Sequence, residues 1–177
     1  MLHHNTHTHP FAEFHGVRSG NFTVPKVMET APDVWFGIYL TVRDSSGLES
    51  VRSVDVYPNR VNVVLDSNVR GAQILLDGQP KTAPYPFTGV AGVTRTLQAP
   101  AEQVIDGRIY RFQSWSDGGE ATHAIDTLQG SSLDNNNSSG NPVTYTAEYA
   151  PADSVITLVA KDLDGRHPRH VGCGQPA

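Results

Sequence analysis

The sequence predicts an all-β fold built from β-sandwich modules, and three observations lead to this expectation. Strand-like segments recur about every ten residues, with turn-forming residues between them. The chain contains 16 Gly and 12 Pro, as expected where many short strands are joined by tight turns. Near its C-terminal end, Val143–Tyr149 alternates strictly, with Tyr145, Ala147 and Tyr149 on one face. We find no amphipathic helical pattern.

The first third of the chain predicts one strong hairpin. Val34–Arg43 is rich in aromatic and β-branched residues, which fit a buried pleated surface. Asp44–Gly47 supplies a turn, because glycine can adopt a positive φ, and Ser50–Tyr57 returns as the second strand. A shorter strand is expected at Asn21–Val24.

Pro58–Arg60 interrupts this pattern, so we expect a first module at residues 1–57 and a second at residues 61–150. Within the second module, Asp77-Gly78 favours a type I′ hairpin turn. The predicted strands of this module are Val61–Leu65, Gln73–Leu76, Gly92–Gln98, Ile109–Trp115, Ala121–Thr127 and Val143–Tyr149. Short strands at this spacing favour a sandwich.

Three segments are expected to depart from regular strand pairing. Proline cannot donate to a strand ladder, so pairing should fail through Lys81–Thr88, around Pro80, Pro84 and Pro86. Leu128–Asn141 is rich in Asn and Ser and is predicted to be an insertion in a surface loop. The tail, residues 151–177, contains one apolar run, Val155–Val159, which could add an edge strand.

Composition excludes several classes of partner. A formal net charge of -5 argues against nucleic acid and against anionic membranes. No apolar run is long enough to cross a bilayer, and Met1–Pro10 is too polar and His-rich for a secretory signal peptide. The single cysteine, Cys173, can form no intrachain disulfide and is expected to be a free thiol on the tail.

Histidines near the N-terminus suggest a metal site. In an extended segment His7 and His9 point to the same face, and two imidazoles so placed can share a Zn²⁺ ion. Glu13, His15 or His123 could supply a third ligand. The alternative is a solvated terminus without metal. A Ca²⁺ loop is a weaker hypothesis: Asp162–Gly165 resembles the start of one but lacks the later ligands.

Aromatic residues suggest a second kind of site. Trp115 and Tyr110 are candidates for stacking on a sugar ring, because a polar turn, Ser116–Gly119, lies beside Trp115. The alternative for Trp115 is a place in the core of a sandwich, and Trp35 is also expected to be core. No nucleophile elbow, P-loop or dinucleotide-binding motif is present.

The motifs LTVRDSSGL at Leu40–Leu48 and VDVYP at Val54–Pro58 carry a family resemblance. Residues 1–57 resemble the C-terminal half of a PKD-type domain, an immunoglobulin-like (Ig-like) module of bacterial extracellular enzymes. Residues 61–150 look like the β-module that follows it in secreted sugar dehydrogenases and glycoside hydrolases. That likeness rests on Leu76–Pro80, Phe112–Gly119 and Tyr145–Tyr149.

The resemblance implies two Ig-like β-sandwich modules, the first one incomplete, in a protein of extracellular or periplasmic origin. It also implies a non-catalytic accessory or binding module of a carbohydrate-active protein, contacting a polysaccharide or a small-molecule ligand. One alternative is a small metal-dependent hydrolase of esters or lactones, in which a metal at the N-terminal histidines activates water. Another is a self-associating structural module, since an incomplete sandwich favours homo-oligomers formed by strand complementation.

Overall fold

The computed structural model describes residues 1–4, 6–127, 132–133 and 141–152, and these residues form an all-β fold without helices. None of the described segments is a helix able to span a membrane. In chain order the strands are β1 (Leu2–His4), β2 (His7–His9), β3 (Val34–Arg43), β4 (Glu49–Val56), β5 (Arg60–Ser67), β6 (Gln73–Leu76), β7 (Gln79–Thr82), β8 (Tyr85–Val90), β9 (Thr94–Gln98), β10 (Glu102–Ile105), β11 (Arg108–Trp115), β12 (Thr122–Asp126), β13 (Ser132–Leu133) and β14 (Val143–Pro151).

The strands form three sheets. The first has the order β2-β1-β3-β4 and contains the candidate site. The second has the order β10-β11-β14-β5-β13, with β8 also paired to β5, and the third has the order β12-β9-β6-β7. Pairing is antiparallel throughout the described strands except between β14 and β5, which run parallel. These sheets agree with the predicted all-β class and with sandwich modules.

The core of the second module lies between the second and third sheets. Val61, Val63 and Leu65 alternate along β5 and are at most 1% exposed, since every second side chain faces the opposing sheet. From the third sheet, Ile74 and Leu97 fill the same interior without any exposure. Burial of these side chains is the main source of the module's stability.

The predicted β3–β4 hairpin is present, and a polar turn closes it. Asp44 Oδ1 accepts hydrogen bonds from the backbone N–H of Ser46 and Leu48, both at 2.9 Å, and from the Ser46 hydroxyl. These bonds, the one from the Ser46 hydroxyl most of all, lower the pKa of Asp44. Gly47 adopts φ +89°, which explains the glycine in this turn.

A second apolar cluster joins the first sheet to the second module. Leu2, Val34 and Phe36 of the first sheet pack with Val90 and Val93. Close by, Lys26 forms an ion pair with Asp126, and the hydrogen bond from Lys26 lowers the pKa of that carboxyl. The first sheet is therefore packed against the second module at its base.

Two local expectations about the strands are wrong. Asn21–Val24 is irregular, because Gly20 and Pro25 flank it and Phe22 is drawn into contact with Phe11 and Phe36. The prolines do not prevent pairing: Pro80 lies on β7 and Pro86 on β8. Both strands pair on one side within their described sheets, so the missing N–H groups interrupt no central ladder.

Candidate functional site

Adjacent histidines on β1 face opposite sides of the first sheet. The register places His3 opposite Trp35 on β3, and His4 opposite Val34. Because side chains alternate along a strand, His3 belongs to one face and His4 to the other. The two histidines therefore contact different groups of side chains, one on each face of the sheet.

Four rings form an aromatic row on the first of these faces: His3, Trp35, Tyr39 and Tyr57. The His3 and Trp35 rings stack with centroids 5.0 Å apart and an interplanar angle of 16°. Trp35 and Tyr57 stack at 6.0 Å, and His3 lies 6.3 Å from Tyr39. Tyr39 and Tyr57 are each 50% exposed, so the row presents aromatic surface to solvent.

Gly37 makes room for the row. It lies on β3 between Trp35 and Tyr39, and the His3 ring fills the space above it. A Cβ atom at this position would lie 2.6 Å from His3 Nε2 and 3.0 Å from the Tyr39 ring. Any larger residue would therefore displace the imidazole from the row.

Polar side chains border the aromatic row. Ser53 and Asp55 are opposite Tyr39 and Gly37 in the β3–β4 register, and therefore lie on the same face as the rings. Both belong to a strand that is exposed along its whole length. Aromatic surface next to hydroxyl and carboxylate groups is the combination that binds amphipathic ligands such as sugars, whose C–H faces are apolar and whose edges carry hydroxyls.

The opposite face carries a histidine cluster, formed by His4, His7 and His9. Each of these imidazoles offers a nitrogen within 4.8 Å of the other two. His4 Nε2 and His9 Nε2 are 3.0 Å apart, which makes one ring the hydrogen-bond donor and the other the acceptor. His4 and His7 meet edge to face with centroids 3.8 Å apart.

Glu29 approaches the histidine cluster from the segment before β3. Its Oε1 atom accepts hydrogen bonds from the backbone N–H groups of Thr30 and Ala31, at 3.0 and 3.1 Å. Its Oε2 atom lies 3.9 Å from His4 Nε2. The carboxylate is thus held by one oxygen while the other faces the imidazole.

The structure brings together only some of the residues predicted to bind metal. His7 and His9 do lie together on one face, but Glu13 and His15 are not in the cluster and pair with each other at 3.2 Å in solvent. His123 is also elsewhere, held by Asp117 at 3.0 Å and by the Glu120 carbonyl at 2.8 Å. None of the three residues expected as a third ligand therefore lies beside His7 and His9.

His4 is the residue that the structure places beside His7 and His9. The pairing of β1 with β2 puts it directly opposite His7. Its spacing of three from His7 gives no strand-alternation signal, so the sequence could have revealed it only through recognition that β1 and β2 pair.

The predicted stacking residues occupy different environments. Trp115 is 2% exposed in the core, where its Nε1–H donates to the Ala121 carbonyl at 3.3 Å, which agrees with the alternative stated for it. Tyr110 is half-buried and packs against the same core. Trp35 is half-buried in the aromatic row instead of fully buried in a core. The rings of the row that were missed from the sequence belong to Tyr57, which is exposed, and His3, which is half-buried.

Comparisons of the chain with protein-family models, with curated proteins and with solved structures gave no match. The aromatic row and the histidine cluster are therefore the features from which a function can be inferred.

Proposed function

We propose that the chain is a non-catalytic carbohydrate-binding module whose ligand stacks on the aromatic row. The observation that carries this proposal is the exposure of Tyr39 and Tyr57 beside Trp35 on an open sheet face. Folding normally buries such large rings, and exposed clusters of them mark binding surfaces.

The chemistry of the row suits a neutral polysaccharide. The apolar C–H face of a pyranose stacks on the ring surface of Tyr39 or Tyr57. Ser53 and Asp55 then accept or donate hydrogen bonds to the sugar hydroxyls and fix the orientation of the ring. The net charge of -5 makes polyanionic glycans unfavourable, so neutral glucans, xylans and mannans are the expected ligands.

The proposed setting is a larger extracellular or periplasmic protein. The likeness of Leu40–Leu48 and Val54–Pro58 to a PKD-type domain supports this setting, because the resemblance implies a module that accompanies bacterial extracellular enzymes. In that role the chain would hold an attached enzyme near its substrate and perform no chemistry itself.

Substitution of the exposed rings tests the proposal. We expect soluble oligosaccharides from a panel of neutral polysaccharides to bind wild-type protein in calorimetric titrations. Tyr57→Ala and Tyr39→Ala should each weaken binding about fivefold to a hundredfold, since one aromatic contact is worth about 1–3 kcal/mol. Phe14→Ala is the matched control, because Phe14 is 51% exposed but lies outside the row.

Equal losses of oligosaccharide affinity in Phe14→Ala and Tyr57→Ala would contradict the proposal. So would the absence of binding across the panel. Circular dichroism spectra that superimpose for all variants would show that the losses come from contacts and not from unfolding.

The second candidate function is a metal-dependent hydrolase of esters or lactones. The observation that favours it is the convergence of His4, His7 and His9, since three protein ligands and one open position can activate a metal-bound water. Hydrolysis that disappears on chelation, returns with Zn²⁺ and is lost in His7→Ala would support this candidate. No turnover by the zinc-loaded protein would exclude it.

A further inference from the structure

We propose that the histidine cluster and Glu29 bind one Zn²⁺ ion, and that this ion fastens the β1–β2 hairpin to the segment before β3. The proposal does not depend on carbohydrate binding, and Glu29 in the fourth position would leave none for the water that the hydrolase candidate needs. It assigns three imidazole ligands, from His4, His7 and His9, and one carboxylate ligand, Oε2 of Glu29.

The separations of the ligand atoms suit a small tetrahedral ion. With Zn–N and Zn–O bonds of about 2.0–2.1 Å, neighbouring ligand atoms of a tetrahedral site lie about 3.3 Å apart. The observed separations are 3.0 Å between His4 and His9 and 3.9 Å between His4 and Glu29. The three imidazole nitrogens also lie within 4.8 Å of one another, whereas Glu29 falls outside that group, so its carboxylate would have to move towards His7 and His9 to bind the same ion. Larger, oxygen-seeking ions such as Ca²⁺ do not match a set of three imidazoles.

Glu29 lies on the ligand side of His4. A carboxylate that only orients a metal-binding imidazole accepts from the ring nitrogen opposite the metal. Here Glu29 Oε2 approaches Nε2, the same nitrogen that faces His9. Its other oxygen accepts hydrogen bonds from two backbone N–H groups, so Oε2 is the oxygen left to approach the imidazoles.

The backbone gives the site a structural role. β1 and β2 contain three residues each, and β2 is fully exposed at the edge of the sheet. A hairpin this short has few contacts to hold it. An ion that joins both strands to Glu29 would restrain it, and would also hold His3, the neighbour of His4, against Trp35.

Zinc titration of the untagged full-length chain tests the proposal. After chelation and dialysis, competition with a chromophoric chelator should show one Zn²⁺ per chain, and the Tm should rise with zinc concentration. His7→Ala and His9→Ala should abolish tight binding. Both side chains are exposed, so the variants should fold. Glu29→Gln should weaken binding about tenfold to a hundredfold, and His15→Ala should leave it unchanged.

Hydrogen exchange separates a fastening ion from an adventitious one. Zinc should slow amide exchange in β1 and β2 of the wild-type protein but not of His7→Ala, while Trp35 fluorescence changes in parallel. The proposal is overturned if His15→Ala loses as much affinity as His9→Ala, or if the wild-type chain binds no zinc. Bound zinc without protection of the hairpin would overturn the fastening role.

Discussion

At the scale of single residues, two buried tyrosines should make the stability of the core depend on pH in the alkaline range. Tyr149 is 3% exposed, and its hydroxyl donates a 3.0 Å hydrogen bond to the Pro100 carbonyl. Burial raises the pKa of Tyr149 to about 12. Burial, with a smaller effect from Asp117, also raises the pKa of Tyr145. In the unfolded chain a tyrosine has a pKa near 10, so the folded state binds a proton that the unfolded state releases.

The contribution of these tyrosines to the free energy of unfolding should therefore be constant below about pH 10 and should fall as the pH rises towards 12. Tyr149→Phe should cost about 1 kcal/mol at pH 7, because a buried hydrogen bond is lost. As the pH rises above 10, the free energy of unfolding of Tyr149→Phe should fall less than that of the wild-type protein. Urea denaturation of both proteins from pH 7 to 11.5 measures the difference, and parallel curves would contradict the assignment.

The buried face of β14 could be predicted because its signal is local. Strict alternation placed Tyr145, Ala147 and Tyr149 on one face without knowledge of their partners, and all three are buried. The environment of Trp35 could not be predicted in this way. Its burial depends on which elements cover its face of the first sheet, and the sequence of β3 contains no information about that.

At the scale of elements, the hairpins differ in whether a local sequence signal predicts them. The β3–β4 hairpin and the Asp77-Gly78 turn follow from turn residues between strong strands, and Asp77 and Gly78 have the positive φ angles of a type I′ turn. The β1–β2 hairpin was not predicted as an element, because its strands are short and its support comes from β3, 30 to 34 positions away. Consequently the sequence suggested His7 and His9 but not His4 or Glu29.

Gly37 couples β1 to β3, and a double-mutant cycle can measure this coupling. Gly37→Ala should displace the His3 ring, change Trp35 fluorescence and weaken carbohydrate binding. In a His3→Ala background the same substitution should have a much smaller effect, because the close contact is gone. A coupling free energy of about 0.5 kcal/mol or more from urea denaturation would support the contact. Additive effects of the two substitutions would contradict it.

At the scale of the whole molecule, the first sheet is only partly covered. Its base packs on the second module through Phe36 and Val90, but the outer part of the β3–β4 hairpin presents an apolar face to solvent. The exposed side chains of this face are Ile38, Leu40, Val42, Val54 and Val56, between 42% and 60% exposed. The register places them on one side, and β4 leaves one edge of the sheet unpaired among the described strands.

This uncovered face predicts self-association, with a second copy of the chain as the occupant. Face-to-face packing of two copies would bury these side chains. Sedimentation should give a mass that increases with concentration in the micromolar range. Leu40→Lys and Val54→Lys should restore a monomer, whereas Val104→Lys, at a residue 69% exposed in the second module, should not. A monomeric wild-type chain at all concentrations would contradict the prediction.

The most direct test of the carbohydrate-binding proposal is an NMR titration of ¹⁵N-labelled protein with an oligosaccharide from the neutral panel. The chain has two indole N–H signals, from Trp35 and Trp115, which serve as internal reporters of the row and the core. We predict saturable shifts of the Trp35 indole and of the Tyr39 and Tyr57 amides, with Trp115 unchanged. Shifts that cluster away from the aromatic row, or a spectrum that does not change at saturating ligand, would contradict the assignment.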